Sequence, residues 1–203
     1  EIMAGDWSSD VCSSDLGVIM YPQMEILETQ NCILRPITLD DVDDLYEYYS
    51  KPDVVKFLPI KVHKTHSDTA RFIKSFFISN YERGRIGHYA VLLKKQNKVI
   101  GNVGFNNISQ NATNGEIGIC LNPDFWGNNL AYELTEVLLQ YGFNKLNLNY
   151  IYAITYNDNI YSKRYLEKLN FTHNNDFVKR FKNSNNKTVK CNKFVLYRND
   201  YTK

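Results

Sequence analysis

Residues 125–133 read Phe-Trp-Gly-Asn-Asn-Leu-Ala-Tyr-Glu, and the interpretation of the whole chain starts from this short segment. An apolar, strand-like stretch precedes it at 116–121, and apolar residues at helical spacing follow it from Leu130 onward. The segment therefore predicts a tight turn from a strand into an amphipathic helix. The unpaired N–H groups and the dipole of a helix N-terminus favour phosphate oxygens. A strand-to-helix turn needs small residues even when it binds nothing, so this segment alone leaves both interpretations open.

The segment matches neither of two other phosphate-binding motifs. Gly127 is not followed by the Lys-Ser or Lys-Thr pair of a P-loop, and the glycines of a G-x-G-x-x-G dinucleotide turn are missing.

Strand patterns lie at 32–37, 89–93, 99–105, 116–121, 150–156, 177–181 and 193–197, and helix patterns lie at 42–49, from about 67, at 130–146 and at 162–169. The order of these elements predicts an α/β fold built on one mixed sheet.

The composition is that of an ordinary globular protein of 203 residues, with 43% hydrophobic and 23% charged residues. A formal net charge of +2 and scattered basic residues give no reason to expect a nucleic-acid partner. No apolar run approaches the roughly 20 residues that cross a bilayer, so no membrane partner is expected. The four cysteines form no C-x-x-C pair, which predicts neither a disulfide framework nor a metal site and favours a cytoplasmic location.

The first residues are set apart from the fold. Residues 6–16 read Asp-Trp-Ser-Ser-Asp-Val-Cys-Ser-Ser-Asp-Leu, which is the in-frame translation of a sequencing-library adapter. A natural polar tail is the alternative interpretation. In both cases we expect residues 1–19 to be a non-native or disordered leader, and we expect the folded domain to span residues 24–203.

A second segment connects the first to a known family. Residues 159–171 read Asn-Ile-Tyr-Ser-Lys-Arg-Tyr-Leu-Glu-Lys-Leu-Asn-Phe. Together with 125–133 they resemble the GNAT superfamily of N-acetyltransferases, in particular the branch that acetylates the N-terminal alanine of ribosomal proteins. That branch shows W-G-x-G-x-A-x-E and then N-x-x-S-x-x-x-L-E-K-x-G-F. The resemblance extends from about Met24 to the C-terminus. It implies an acyl-CoA N-acyltransferase fold, with a mostly antiparallel twisted sheet, a splayed pair of parallel strands and about four helices.

Two departures from the family pattern are of the same kind. Asn129 replaces the second glycine of the first motif, and Asn170 replaces the glycine of the second. Both positions call for a left-handed backbone, and asparagine is the best non-glycine residue for that conformation. The chain contains 24 asparagines and only 10 glycines. We therefore interpret both changes as drift that preserves the fold, although the side chain of Asn129 adds bulk beside the expected phosphate site.

The resemblance assigns a co-substrate and the residues that bind it. It implies acetyl-CoA as the acetyl donor, with no metal. Backbone amides of the turn would bind the pyrophosphate, and other groups would contact the pantetheine arm or the thioester. The assigned residues are Leu121, Trp126, Gly127, Asn128, Asn129, Leu130, Ala131, Asn159 and Ser162.

The resemblance also implies two catalytic residues. Glu116 stands where several family members carry the base that accepts the amine proton through water. A glutamate at the start of a strand is also a common solvated edge residue, and that alternative stays open. Many relatives carry a tyrosine at the position of Leu166, so Ser162 becomes the favoured proton donor to the leaving thiolate, ahead of Tyr165 and Tyr156. The four histidines, which show no ligand spacing, are predicted to be surface or packing residues.

The expected activity is therefore acetylation of a primary amine, either a protein N-terminus or a small molecule. The alternative, which Asn129 and Leu166 suggest, is a non-catalytic acyl-CoA-binding or regulatory module of the same fold. A monomer or a homodimer is expected.

Overall fold

The computed structural model describes residues 21–181 and 187–201. The predicted leader, residues 1–19, lies outside the described residues, and so do residues 182–186 and the last two residues of the expected domain. In the described part, no helix is long and apolar enough to span a lipid bilayer.

One eight-stranded sheet forms the centre of the molecule. Its strands are β1 (Leu27–Glu28), β2 (Cys32–Pro36), β3 (His88–Leu93), β4 (Lys98–Ile108), β5 (Asn114–Leu121), β6 (Tyr150–Tyr156), β7 (Thr172–Phe181) and β8 (Lys187–Tyr197). They are arranged in the order β1-β2-β3-β4-β5-β6-β8-β7. Every neighbouring pair is antiparallel except β5 and β6, which are parallel. The predicted mixed, mostly antiparallel sheet is confirmed.

Helices cover the sheet. They are α1 (Val42–Tyr49), α2 (Pro52–Val55), α3 (His66–Phe72), α4 (Ser79–Glu82), α5 (Leu130–Gln140) and α6 (Ile160–Lys168). A π-helical segment, Ile73–Ile78, joins α3 to α4 without a break, and a second one, Tyr141–Lys145, extends α5. Counting 66–82 as one helix gives five helices in the described residues, close to the four that the resemblance implies.

The two faces of the sheet receive different helices. The Asn102 side chain of β4 contacts Tyr48 and Tyr49 of α1. Phe105, three residues along the same strand, packs on the other face, where it limits the space beside Gly142 in the π-helical segment that extends α5. Side chains alternate between faces along a strand, so α1 and α5 cover opposite sides of the sheet.

Two glycines on β4 allow the central strands to approach closely. A Cβ on Gly101 would lie 2.4 Å from the carbonyl oxygen of Cys120, and one on Gly104 would lie 2.3 Å from that of Gly87. Neither position accommodates a side chain. These contacts explain why glycines stand at these two positions.

The last two strands are longer than the sequence predicts. The prediction covered 177–181 and 193–197, whereas β7 begins at Thr172 and β8 at Lys187. The missed portion of β7 is Thr-His-Asn-Asn-Asp, and its side chains are exposed. An edge strand that buries little surface carries no alternating apolar pattern, so its sequence does not indicate a strand.

Candidate active site

The parallel strands β5 and β6 pair only at their beginnings and then separate. Backbone pairing joins Asn114 to Tyr150, Gly115 to Ile151 and Glu116 to Tyr152, and ends there. Residues 117–121 continue β5, and residues 153–156 continue β6, without pairing to each other. The splayed parallel pair that the resemblance implied is therefore present. Glu116 lies at its closed end.

The open side of β5 presents its backbone to this gap. The N–H of Asn122 donates to the carbonyl of Ile100 on β4, at 2.8 Å. Peptide groups alternate in direction along a strand, so those of Ile119 and Leu121 point away from β4 and towards the splay. The indole N–H of Trp126, on the turn after β5, donates to the carbonyl oxygen of Leu121 at 2.9 Å. The ring of Trp126, 54% exposed, thus ties the following turn to the end of β5.

The turn between β5 and α5 has two residues in the left-handed region. Gly127 has φ +81°, and Asn129, which precedes the first residue of α5, has φ +57°. Asn170 also lies in this region, with φ +63°. The prediction that both asparagines occupy left-handed positions is confirmed.

The same turn leaves a run of backbone donors free. Within the described residues, the N–H groups of residues 127–131 have no hydrogen-bond acceptor. The side chain of Asn129 does not cap the helix either. By contrast, Thr65 and Asn159 accept N–H groups at the starts of α3 and α6. Gly127, Asn128 and Asn129 are exposed, and Leu130 anchors the turn with a buried side chain. Consecutive unpaired N–H groups at a helix start can hold an anion.

The two predicted residues of the second motif lie after β6, at the same edge of the sheet. Asn159 Oδ1 accepts the backbone N–H of Ser162 at 3.1 Å, so Asn159 caps α6. The amide NH₂ of Asn159 and the hydroxyl of Ser162 make no hydrogen bond within the part of the chain that the structure describes. Both groups therefore remain available beside the gap.

The alternative proton donors are less available. Leu166 is 5% exposed and belongs to the core. The hydroxyl of Tyr165 donates to the carbonyl of Ala131 at 2.6 Å and also contacts the Thr135 hydroxyl, which joins α6 to α5. Burial raises the pKa of Tyr165 well above its ordinary value. Burial also raises the pKa of Tyr156 to about 12.

Glu116 is held by neighbours on both sides. Asn106 Nδ2 of β4 donates to Glu116 Oε1 at 3.0 Å. Asn106 occupies an irregularity in β4, where the pairing with β5 shifts between Phe105 and Asn107. Tyr152, opposite Glu116 on β6, has its pKa raised to about 12, first by burial and next by the charge of Glu116. The carboxylate therefore faces two neutral polar side chains.

Sequence reasoning missed two groups near the site. A groove connects the turn to α6 and is lined by Gly127, Tyr132, Tyr161, Arg164, Tyr165 and Lys168. Arg164 and Lys168 form no ion pair among the described residues. The sequence indicated this pair through its i, i+4 spacing on a predicted helix, which places both cations on the same helix face. The second group is His88, expected as a surface or packing residue. It is buried at 6% exposure and hydrogen-bonded to Asn106.

No group of three His, Cys, Asp or Glu side chains in residues 21–181 and 187–201 is arranged to hold a metal ion.

Comparisons with known proteins agree with this geometry. The family model of the acetyltransferase (GNAT) domain matches residues 31–172. The protein named N-acetyltransferase p20 in Bacillus licheniformis is 31% identical over 178 residues, which cover 88% of this chain and 99% of p20.

Solved structures share the fold. A GNAT-family acetyltransferase from Bacillus anthracis superposes with a TM-score of 0.73 at 24% identity, over 86% of this chain and 99% of that one. RimL, a ribosomal L7/L12 alpha-N-protein acetyltransferase solved in complex with coenzyme A, superposes with a TM-score of 0.73 at 19% identity, over 87% and 100% of the two chains. The splayed strands, the turn with free N–H groups and these matches agree: the chain belongs to the GNAT family of acetyltransferases, enzymes that take the acetyl group from acetyl-coenzyme A.

Proposed function

We propose that this chain transfers the acetyl group to a primary amine, with Glu116 as general base and Ser162 as proton donor to the leaving thiolate. The arrangement of β5 supports the proposal. One end of the strand leads into the free N–H groups of residues 127–131, and Glu116 lies where the splay closes. Five residues of extended strand separate Glu116 from Leu121, roughly 17 Å at about 3.3 Å per residue. A pantetheine arm extended along this edge would carry the thioester towards the carboxylate.

The residues around the gap match the parts of the cofactor. The pyrophosphate accepts hydrogen bonds from the N–H groups of 127–131, and Arg164 and Lys168 add positive charge beside it. The backbone N–H of Leu121 and the side-chain NH₂ of Asn159 are available to the amides of the pantetheine arm.

The chemistry removes two protons from the amine nitrogen and delivers one to the leaving sulfur. A primary amine is protonated near pH 7, so Glu116 accepts a proton from it, through a water molecule, before the attack. The amine lone pair then forms a bond to the thioester carbonyl carbon, and the C–S bond breaks with its electron pair going to sulfur. The nitrogen, now positively charged, releases its second proton to solvent. The Ser162 hydroxyl gives its proton to that sulfur and regains one from solvent. The products are an acetamide and coenzyme A.

Membership of the family, together with the backbone conformation and free N–H groups of the turn, favours an enzyme over a non-catalytic module. Asn129 adopts the left-handed conformation that the turn needs, and its side chain does not occupy the neighbouring N–H groups. Leu166 removes one possible donor, but it leaves the free hydroxyl of Ser162 in place. Since RimL is named for acetylating a protein N-terminus, a peptide α-amine is the first acceptor to examine, with small-molecule amines second.

The test measures release of free thiol from acetyl-CoA with a panel of amines: a peptide with N-terminal alanine, one with N-terminal serine, spermidine, an aminoglycoside and free amino acids. Calorimetry gives the Kd of acetyl-CoA. We expect Glu116→Gln to lower kcat by about 100-fold or more, with the Kd unchanged, because general-base catalysis typically contributes that much. Glu82→Gln, at an exposed position at the end of α4, is the matched control. Cofactor binding without turnover of any amine would favour the non-catalytic module, and an unchanged kcat in Glu116→Gln would remove that residue from the mechanism.

A further inference from the structure

A chain of hydrogen bonds runs through the interior from α1 to β3. The hydroxyls of Tyr48 and Tyr49 both donate to Asn102 Oδ1, at 2.9 and 2.8 Å. Burial raises the pKa of both tyrosines well above the ordinary value, so both hydroxyls keep their protons. The carbonyl oxygen of the Asn102 amide therefore faces the tyrosines, and its NH₂ group faces His88. Asn102 Nδ2 lies 2.9 Å from His88 Nδ1.

This arrangement determines where the proton of the His88 ring lies. Nδ1 accepts from Asn102, so in the neutral ring the proton must be on Nε2. Nε2 lies 2.8 Å from Asn106 Oδ1 and donates to it. Burial lowers the pKa of His88 to about 4, which keeps the ring neutral near pH 7. The Asn106 amide is oriented in turn, with its NH₂ group donating to Glu116 at 3.0 Å. Each hydrogen bond in the chain is donated in the direction of the carboxylate.

The surroundings keep the His88 ring in this orientation. Its backbone carbonyl accepts the Tyr81 hydroxyl, and the rings of Phe76 and Phe77 lie 6.0 and 5.9 Å from it, centroid to centroid. Gly118, two residues after Glu116 on β5, leaves the space that the network needs. A Cβ there would lie 3.0 Å from Asn106 Nδ2 and 3.3 Å from His88 Cε1.

We propose that His88 is a positioning residue for the reaction: its Nε2–H orients the Asn106 amide, which holds the Glu116 carboxylate at the closed end of the splay. The inference rests on the proposed role of Glu116 as the base. It explains a buried histidine that touches neither the turn nor α6. Asn106 is exposed and has no core to hold its amide in one orientation, so the orientation must come from its hydrogen-bond partners.

Two substitutions of His88 separate positioning from simple support of the core. His88→Asn places its amide near the former Nδ1, so it keeps a partner for Asn102 and loses the donor to Asn106. His88→Gln reaches the former Nε2 and can still donate to Asn106. His63→Asn is the matched control, because His63 is also buried and its Nδ1 bonds to Thr69 at 2.9 Å. The ring of His63 packs against Tyr49 but makes no hydrogen bond to a member of the network in the described residues.

We expect His88→Asn to lower kcat roughly tenfold or more without changing the Kd of acetyl-CoA, since small misplacement of a reacting group is costly. His88→Gln should recover most of that loss, and His63→Asn should keep the parent kcat even if its melting temperature falls. Asn106→Ala, an exposed change that does not endanger folding, should match His88→Asn. Adding His88→Asn to Glu116→Gln should cause no further loss, because both act through one carboxylate.

A second measurement does not depend on turnover. Nitrogen-15 NMR of the histidine rings should show His88 neutral at pH 7, with the proton on Nε2. A proton on Nδ1, or a charged ring, would overturn the inference. So would full activity in His88→Asn or Asn106→Ala while Glu116→Gln is impaired. If Glu116→Gln itself keeps the parent kcat, the role of the base fails, and the NMR result still reports separately on the network.

Discussion

Gly127 offers the sharpest test of the turn as a phosphate site. It has φ +81°, is exposed, and a Cβ placed on it meets no atom within 4 Å. The substitution Gly127→Val therefore creates no clash inside the protein. Its side chain enters the open space that the proposal gives to the cofactor phosphates. The turn must also accept a β-branched residue in the left-handed region, which costs about 1–2 kcal/mol of folding free energy.

The two effects differ enough in size to be measured separately. A loss of about 1–2 kcal/mol lowers the melting temperature of a chain of this length by roughly 2–8 °C. Hydrogen bonds to charged groups are worth about 1.5–3 kcal/mol each, so loss of two phosphate contacts weakens binding by at least about 3 kcal/mol. That corresponds to a Kd for acetyl-CoA raised more than about 100-fold.

The chain contains a matched control for the backbone strain. Gly84 has φ +71°, and a Cβ placed on it also meets nothing within 4 Å, but it lies in the turn after α4. We expect Gly84→Val and Gly127→Val to lower the melting temperature of the free protein similarly. Calorimetry should show weaker binding of acetyl-CoA only in Gly127→Val. If both variants bind acetyl-CoA as the parent does, the turn does not hold the phosphates and the central argument is refuted.

Three further predictions concern single side chains. Asn129→Gly should change the free energy of unfolding by no more than about 1 kcal/mol, since glycine accepts φ +57° freely. The Kd of acetyl-CoA should stay unchanged or become lower. A large rise in that Kd would show that the Asn129 side chain binds the cofactor. Tyr165→Phe should lower the melting temperature by roughly 2–8 °C, because the hydroxyl loses its hydrogen bonds to α5, while kcat stays within about twofold of the parent value. A drop in kcat of about 100-fold would instead make Tyr165 the proton donor. The pKa of His88 is lowered to about 4, so the unfolded chain binds more protons than the folded one below about pH 6.5, and the free energy of unfolding falls as the pH is lowered. Urea unfolding should show the parent losing about 2 kcal/mol more than His88→Gln when the pH is lowered from 7 to 5. Equal losses in the two proteins would contradict the burial of a neutral ring.

The sequence was most informative where the structure depends on local backbone geometry. The segment from Trp126 to Glu133 predicted a turn into a helix, and α5 begins at Leu130 as expected. Asn129 and Asn170 were interpreted as left-handed replacements of glycine, and both have positive φ. Such positions can be predicted because few residue types tolerate that conformation. Strand β6 was predicted with its exact bounds because apolar β-branched and aromatic residues dominate it.

The network behind Glu116 could not be predicted from the sequence. Its members are far apart in the chain, from Tyr48 on α1 to Glu116 on β5, and a strand irregularity turns Asn106 towards the carboxylate. A lone histidine without ligand spacing gives no indication of its partners. The cation pair of Arg164 and Lys168 was visible as a spacing on α6. Only the groove lined by Gly127 and these residues shows that the pair lies beside the turn.

In the proposed reaction, strand β5 contributes to cofactor binding with one set of atoms and to proton transfer with another. Its backbone edge at Ile119 and Leu121 points into the splay, where the cofactor arm would extend. The Glu116 side chain and the backbone at Gly118 lie beside Asn106 and the His88 ring. Under the proposal, cofactor affinity and proton transfer therefore depend on different atoms of one strand. Changes at the turn should therefore act on the Kd of acetyl-CoA, and changes in the network should act on kcat.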